Sequence, residues 1–256
     1  MPDALLKEER QKLILEALEE NNRVTVSELA VRFGASEVTI RRDLAGLAAG
    51  GKLIRAHRGA LKLTPAPPEA PVVQRMALER ELKERVAAAA AELVSDGDAL
   101  FIGSGSTMAL FARRLAARQR LTIFTNALNI AADLAGGPFT VVLTGGVLRG
   151  AELSLLGHIA ELTLPEVRVG RVFMGAQALS LEDGWTTDQL AEVQTTRSIF
   201  AMAPELVIAA DHTKLGRTAA ARIAPLERIT TLVTDAEADA GFLKEAAARG
   251  LRVLTA

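Results

Sequence analysis

Residues 100–115 place two glycines and three hydroxyl side chains between an apolar run and a helical pattern. Glycines let backbone N–H groups approach an anion closely, and the first turn of a helix favours negative charge. This spacing predicts a loop that holds a phosphate group, and by itself it fits an enzyme or a sensor. The residues expected to contact the ligand in this loop are Gly103, Ser104, Gly105, Ser106 and Thr107.

From residue 72 the chain alternates short apolar runs with helical patterns, which predicts βαβ units around a buried parallel sheet. The pattern includes one long helix over residues 72–94, a strand over 99–103 and a helix over 153–164. Because ligands bind beyond the carboxyl ends of parallel strands, we expect the small polar loops at those ends to share one site. The residues added to this site are Thr125, Asn126, Gly145, Gly146, Gln177, Asp211 and Lys214.

Near the N-terminus, Thr25 and Glu28 form a capping box that marks the start of a helix. Gly34 tolerates the positive φ at which that helix must end, and Ser36 can cap a second helix. In the second helix Ile40, Leu44 and Leu47 share one apolar face. A helix, a glycine turn and a helix with exposed Arg and Thr predict a helix-turn-helix, whose second helix enters the major groove.

The segment 52–63 alternates around Arg58–Gly59 and predicts a β-hairpin wing. Arginine can pair with guanine and a methyl group can contact a thymine methyl, whereas cations on a wing contact phosphates. Asp43 is interpreted as a partner that orients Arg41 or Arg42, or as a solvated charge. The candidate DNA contacts are Ser36, Val38, Thr39, Arg41, Arg42, Lys52, Arg55, His57 and Arg58.

The composition excludes several functions. The 256 residues are 49% hydrophobic and 24% charged, with no cysteine and three histidines that are far apart in the sequence. Disulfides, thiolate zinc sites and iron–sulfur clusters are therefore excluded, and we expect no metal site. The chain has no apolar stretch long enough for a membrane span, and its N-terminus lacks a signal core, so we expect a cytoplasmic protein.

Four of the nine prolines lie in residues 64–71. Prolines at this density cannot continue a helix or a central strand, and they form a semi-rigid spacer. The expected organisation is a winged helix-turn-helix domain over 1–63, a linker over 64–71 and an α/β domain over 72–256. The fold class is therefore α/β, with a small N-terminal DNA-binding domain joined to a parallel-sheet sensor domain.

Residues 26–60 resemble the helix-turn-helix of the DeoR family of bacterial transcriptional regulators, most strongly at residues 39–44, Thr-Ile-Arg-Arg-Asp-Leu. The wing of that family usually reads His-Gly-Gly-Ala, whereas this chain has Arg58 as the second of these residues. The later strand-end loops are similar to the DeoR sensor domain, which itself resembles ribose-5-phosphate isomerase. The resemblance implies a phosphorylated sugar or polyol as effector and a dimer or tetramer that binds double-stranded operator DNA.

This chain departs from the family at two loops. Gly103 stands where relatives commonly have aspartate, and Gln177 stands where they commonly have an acid. Isomerising a sugar phosphate needs a base beside the carbon that loses a proton, and glutamine cannot accept that proton at neutral pH. The glycine loop also lacks the dinucleotide and P-loop signatures, so we expect no cofactor.

The favoured function is a transcriptional regulator of carbohydrate genes, a repressor, with no catalytic residue. An isomerase-type enzyme with an accessory DNA-binding domain is the alternative, and a DNA-binding protein with a vestigial sensor fold is a third possibility. Among the remaining acids, Asp188 and Glu192 are interpreted as a solvated face of one helix. Trp185 is expected to cover a ligand or to pack on the sheet, and His212 is a further candidate contact.

Overall fold

The computed structural model divides the chain into two units, Met1–Pro65 and Ala66–Ala256. Each unit is described by itself. The structure describes residues 6–21, 23–49, 52–56, 59–62, 64–65 and 69–256.

In the first unit, three helices pack around a three-stranded antiparallel sheet with the order β1-β3-β2. Its elements are α1 (Lys7–Asn21), β1 (Arg23–Thr25), α2 (Val26–Phe33), α3 (Glu37–Ala49), β2 (Leu53–Ala56) and β3 (Gly59–Lys62), followed by the two-residue strand β4 (Thr64–Pro65). The β2–β3 hairpin confirms the predicted wing. Strand β1 was not predicted from the sequence, because three residues are too few for an alternating pattern.

Both ends of α2 and the start of α3 have the predicted hydrogen bonds and backbone geometry. The Thr25 hydroxyl accepts the backbone N–H of Glu28 at 3.2 Å, and the Glu28 carboxylate accepts the N–H of Thr25 at 3.0 Å. Gly34 ends α2 with a φ of 60°. The Ser36 hydroxyl then accepts the N–H of Thr39 at 3.2 Å, which caps α3. The sequence prediction of a helix, a glycine turn and a second helix is confirmed.

Gly59 is required by the sheet. It pairs with Thr25 across β1 and with Ala56 across the hairpin. A Cβ atom at this position would lie 1.9 Å from the carbonyl oxygen of Val24. Any larger residue would therefore push the wing away from β1.

Asp43 does not have the predicted role. Its carboxylate is buried and forms an ion pair with Arg10 of α1, and its backbone carbonyl accepts the side-chain amide of Gln11 at 3.5 Å. It thus joins α1 to α3 and does not orient the arginines that precede it. The reason is geometric, since Asp43 lies beside the apolar face of α3 that carries Ile40 and Leu44.

In the second unit, seven parallel strands form one sheet with the order β17-β16-β13-β10-β5-β6-β7. These strands are β5 (Ala99–Ile102), β6 (Thr122–Thr125), β7 (Thr140–Leu143), β10 (Arg171–Met174), β13 (Glu205–Ala209), β16 (Thr231–Thr234) and β17 (Arg252–Thr255). Two smaller sheets consist of β8 (Val147–Arg149) with β9 (Ser154–Leu156), and of β11 (Ala178–Ser180), β12 (Gly184–Thr187) and β15 (Ala221–Ala224). The remaining short strand is β14 (Arg217–Thr218).

Helices cover both faces of the large sheet. The helices of this unit are α4 (Val72–Arg75), α5 (Arg80–Ala91), α6 (Ser106–Arg114), α7 (Leu128–Leu134), α8 (His158–Thr163), α9 (Leu190–Phe200) and α10 (Ala240–Ala248), with single 3₁₀ turns at Leu115–Ala117, Leu164–Glu166, His212–Lys214 and Leu226–Arg228. Along β5, Leu100 and Ile102 pack with α5, α6 and α7, whereas Phe101 packs with α9 and α10. This alternation buries the central strands on both sides, which explains why their middle residues are apolar.

Two predicted helices are wrong in part. The expected helix over 72–94 is interrupted between α4 and α5, where Glu79 has a φ of 48°. The Lys83 ammonium donates to the carbonyls of Arg75 and Leu78 there, which satisfies backbone groups at the break. The expected helix over 153–164 begins only at His158, because residues 154–156 pair with β8 and Gly157 turns with a φ of 92°.

In the part of the chain that the structure describes, no helix has both the length and the apolar character needed to cross a membrane.

The Arg10–Asp43 pair generates a stability prediction. Asp43→Ala removes the carboxylate from a buried ion pair with Arg10, so we expect the first unit to lose about 3–5 kcal/mol of stability. Hydrogen exchange of peptides from α1 and α3 measures this, because the single tryptophan, Trp185, lies in the second unit and does not report on the first. Glu37→Ala is the control, since its exposed pair with Arg41 contributes at most about 1 kcal/mol. Equal effects of the two substitutions would contradict the prediction.

Candidate functional site

The strand order of the large sheet reverses between β5 and β10. From β5 the chain continues through β6 and β7 on one side, whereas β10, β13, β16 and β17 lie on the other. The loops after β5 and β10 therefore diverge and leave a crevice at the carboxyl ends of these strands, the usual ligand position in such folds. A pocket lies in this crevice, and we call it the switch-point pocket. Its lining includes Ser104–Met108 after β5 and Gly175–Gln177 after β10.

The glycine–serine loop opens α6 inside this pocket. Gly105 has a φ of 118°, a conformation that L side chains rarely adopt, and no side chain caps the start of α6. Ser106 and Thr107 are buried in the first turn. The first backbone N–H groups of α6 therefore have no intrahelical acceptor, and the helix dipole adds partial positive charge at this point. The loop has the local geometry expected of an anion site.

Four cations line the same pocket. They are Arg75, Lys83, Arg149 and Lys214. Lys83 is almost completely buried, and this burial is the main reason why its pKa lies below the usual value; nearby Asp211 opposes the shift, and Lys214 and Arg75 add to it. An anion bound beside Lys83 would favour its charged form. The buried Nε atom of Arg149 has no hydrogen-bond partner among the described residues.

Four acids balance these cations. Glu69 pairs with Arg75 at 3.0 Å and with Lys214 at 3.1 Å, and Glu192 pairs with Arg149 at 2.8 Å. Glu152 forms an ion pair with Arg75, yet its burial is strong enough to hold its pKa above the usual range. Asp211 is buried and accepts the N–H of Thr213 at 3.1 Å.

Gln177 is held by neighbouring backbone and side chains. Its amide nitrogen donates to Asp188 at 2.7 Å, and its carbonyl oxygen accepts the N–H of Asp188 at 2.8 Å. The interpretation of Asp188 and Glu192 as a solvated helix face is wrong in part, since Asp188 is exposed but is not in the helix and Glu192 is half-buried. Asp188 precedes α9, and Glu192 is ion-paired with Arg149 and accepts the Thr187 hydroxyl at 2.6 Å.

The structure brings together most of the predicted ligand residues. Those that line the switch-point pocket are Ser104, Gly105, Ser106, Thr107, Asn126, Gln177, Asp211 and Lys214. The Asn126 amide donates to the carbonyl of Leu155 at 3.3 Å, and its buried oxygen has no partner in the described parts of the chain. This oxygen is therefore available to a ligand hydroxyl.

Four predicted residues lie outside the lining. The Thr125 hydroxyl is buried, donates to the carbonyl of Ile102 at 2.7 Å and accepts the N–H of Ala127 at 3.0 Å. Gly145 and Gly146 follow β7 and pack beside Ile159 and Leu156. Gly103 directly follows β5, and a Cβ atom on it would lie 2.2 Å from the sulfur of Met174. Each of the four shapes the backbone beside the pocket.

Sequence reasoning missed three of the cations and two of the acids. They are Arg75, Lys83, Arg149, Glu69 and Glu152. None of them lies in a loop directly after a strand of the large sheet, where the sequence pattern predicts ligand contacts. The sequence pattern could have identified Lys83, because it lies four residues before Ala87 on the apolar face of α5. A lysine on such a face needs buried partners.

Trp185 lines the pocket and is also packed, with its ring 6.4 Å from that of Phe200. His212 does not line the pocket, because its Nδ1 lies 2.9 Å from the Asp235 carboxylate. His212, Asp235 and Glu237 are the one group in the described residues whose ligand atoms are close enough for a metal ion. Burial alone would raise the pKa of Asp235, but hydrogen bonds from His212 and from the Glu237 N–H lower it. These bonds already satisfy the carboxylate, so the group is a hydrogen-bonded cluster.

Helix α3 presents the predicted recognition residues. Val38 is 67% exposed, and Arg41 and Arg42, which follow it along the helix, are also exposed. Arg41 pairs with Glu37 at 3.0 Å, whereas Arg42 has no ion pair within the described ranges. The Thr39 and Ser36 hydroxyls lie 2.9 Å apart.

The wing residues are described only in part. Lys52 is exposed, and Arg55 lies on strand β2. His57 and Arg58 lie outside the described residues.

The Gly103–Met174 contact generates a second prediction. Gly103→Ala forces Met174 aside and should cost about 1–3 kcal/mol. In a Met174→Ala background the space is open, so the same substitution should cost little. Urea unfolding followed by Trp185 fluorescence measures this coupling. Gly136→Ala is the control, because nothing lies within 4 Å of its Cβ position. An equal cost of Gly103→Ala in both backgrounds would refute the packing explanation.

Comparison with known proteins places both units in one family. Residues 10–65 match the DeoR-like helix-turn-helix domain, and residues 78–236 match the DeoR C terminal sensor domain. A solved ribose 5-phosphate isomerase A from Methanocaldococcus jannaschii is similar at 23% identity and a TM-score of 0.40, over 53% of this chain and 54% of the other.

Curated relatives match almost the whole chain. The transcriptional regulator GolR of Listeria innocua is 31% identical over 96% of this chain and 97% of its own. The regulator GlpR of Haloferax volcanii is 31% identical over 98% of both chains. The glycerol-3-phosphate regulon repressor of Escherichia coli is 31% identical over 89% of this chain and 90% of its own. These relatives are transcriptional regulators, and this chain belongs to the DeoR family of DNA-binding transcriptional regulators.

Proposed function

We propose that this regulator represses carbohydrate genes and releases its operator when the switch-point pocket binds a phosphorylated sugar or polyol. The observation that carries the proposal is the convergence of the start of α6 with Lys83, Arg149 and Lys214 in one pocket. Uncapped helix N–H groups and cations together suit a phosphate. Carboxylates and the Asn126 oxygen in the same pocket suit the hydroxyl groups of a sugar or polyol.

We assign the effector contacts to Ser104–Thr107 for the phosphate, with Lys214 as a point charge, and to Asn126 and Asp211 for hydroxyl groups. Gly103, Thr125, Gly145 and Gly146 support the backbone around these contacts, and Gln177 holds the loop after β10. The glycerol-3-phosphate regulon repressor among the relatives is consistent with an effector of this class. By linkage, an effector that weakens operator binding must itself bind more weakly to the DNA-bound protein.

For DNA, the proposed base contacts are Val38, Thr39 and Arg42, with Ser36, Arg41, Lys52, Arg55, His57 and Arg58 on phosphates or at the edge of the site. The domain boundaries proposed are 1–63, 64–71 and 72–256. Proteins with a helix-turn-helix bind half-sites as dimers, so we propose a dimer or tetramer acting on cytoplasmic DNA. Strand β7 supports self-association, because this edge strand carries the exposed Val142 and Leu143 and lacks the charges that usually protect an edge.

The effector prediction compares phosphorylated with neutral ligands. A panel of pentose, hexose and polyol phosphates, tested on the full chain, should contain a compound that raises the melting temperature, whereas its unphosphorylated counterpart should not. Lys214→Ala should weaken that ligand by about 1.5–3 kcal/mol, or about tenfold to hundredfold. Lys244→Ala is the control, because Lys244 is exposed on α10 and does not line the pocket. A panel in which no compound stabilises the protein, or a Lys214→Ala variant that binds normally, would argue against the pocket assignment.

The DNA prediction concerns Arg42. DNA fragments are first selected from the genome of the source organism with the wild-type protein, and the variant is then measured on them. Arg42→Ala should weaken the selected sites by about 1–3 kcal/mol and relax specificity at one base pair. Arg80→Ala in α5 is the matched control, because it removes an exposed arginine that is ion-paired at 2.9 Å in the other unit. Unchanged affinity of Arg42→Ala for all selected sites would show that the recognition helix has been assigned wrongly.

A further inference from the structure

Glu69 occupies the part of the switch-point pocket where an anionic ligand would bind. One carboxylate oxygen, Oε1, accepts hydrogen bonds from Arg75 at 3.0 Å and from Lys214 at 3.1 Å. The Glu69 side chain is only 16% exposed. Two cations around one oxygen are also the arrangement with which proteins bind a phosphate oxygen. The chain thus supplies its own anion to this pair of cations.

Every nitrogen of Arg75 makes a hydrogen bond while Glu69 is in place. Its Nη1 binds Glu69, its Nη2 binds Glu152, and its Nε donates to the carbonyl of Ala70 at 2.8 Å. A ligand anion that is to take the position between Arg75 and Lys214 must therefore displace the carboxylate that now bridges them. Glu152 is less exposed than Glu69, and its neighbour Ala151 accepts the backbone N–H of Val72 at 2.8 Å. Glu69 is the group that can leave with little change in the sheet.

Glu69 lies in the segment that connects the two units, so its release from Arg75 and Lys214 would affect that segment. It lies four residues after Pro65, where the first unit ends, and three residues before α4 begins. Its contacts, together with the bond from Arg75 to Ala70, attach the end of the proline-rich segment to the pocket. The only covalent connection from the pocket to the DNA-binding unit runs through this segment.

We propose that Glu69 is an internal competitor of the effector, and that an anion which displaces it from Arg75 and Lys214 frees the segment that leads to the DNA-binding unit. This inference rests on the proposed function, since it assumes that the pocket binds an anionic effector. Charge balance favours the exchange. The pocket holds four cations and four acids, so adding an anion without expelling one would leave excess negative charge in a buried site.

An opposite role for Glu69 is that it accepts hydroxyl groups of the ligand. The two roles predict opposite effects of one near-isosteric change. Glu69→Gln retains the shape and removes the negative charge. A competitor that is removed lets an anion bind more tightly, whereas a contact that is weakened lets it bind less tightly.

The test is a calorimetric titration of the full chain with inorganic phosphate and with glycerol 3-phosphate as probes. Wild type, Glu69→Gln and Glu69→Ala are compared. We expect both variants to bind at least one probe more tightly than wild type, by about 5–150-fold, the range typical of coupled equilibria. Glu205→Gln is the control, because it removes a glutamate that pairs with Arg171 at 2.8 Å outside the pocket, and it should bind as wild type does.

Hydrogen exchange of peptides spanning residues 64–76 measures release of the segment. Phosphate should accelerate exchange there in wild type, and Glu69→Gln should exchange fast without phosphate. If wild type binds a probe and both Glu69 variants bind it with the same or lower affinity, Glu69 is not a competitor. The proposed pocket stands in that case. Protection of residues 64–76 by phosphate overturns the release step. Absence of binding to wild type and to both variants overturns the proposed pocket, and this inference with it.

Discussion

Charge balance in the switch-point pocket is the constraint to which the surrounding structure is adapted. Lys83 and Arg75 would be costly to bury alone, and each is satisfied by carbonyls or carboxylates of neighbouring segments. These bonds also satisfy backbone groups of the neighbouring segments. At the break in the helix predicted over 72–94, Lys83 donates to the carbonyls of Arg75 and Leu78. The pocket and the fold around it therefore depend on the same few ion pairs.

The parallel sheet supplies the position of the pocket and little of its charge. Reversal of strand order at β5 and β10 opens the crevice, and the glycine loop with Gly105 places the start of α6 in it. The cations come from elements outside the large sheet. Arg75 lies on α4, Lys83 on α5 and Arg149 on β8. A rigid apolar sheet thus presents backbone donors, and peripheral segments add side chains that can change partners.

The sequence predicted those features that depend on neighbouring residues. The capping box at Thr25, the turn at Gly34 and the strand-end loop at Ser104–Thr107 each have short-range signals, and each lies where expected. The role of Asp43 and the clustering of Glu69, Glu152 and Arg75 have no such signal. They depend on contacts between residues that are 33 and 77 positions apart. No local periodicity encodes a pairing over that distance. The sequence pattern around a charged residue is the same whether its side chain contacts water or a buried arginine.

The size of the response limits how such a regulator can work. Moving a two-state equilibrium from 1:99 to 99:1 needs about a 10⁴-fold difference in effector affinity between the states. Displacing one carboxylate such as Glu69 is expected to change the affinity by the factor typical of coupled binding sites, which is about 5–150-fold. In a dimer that binds operator as one unit, the two pockets multiply their effects, so about 100-fold from each reaches about 10⁴-fold. Self-association would then be needed for switching as well as for reading two half-sites, since one pocket of this kind shifts the equilibrium only part of the way.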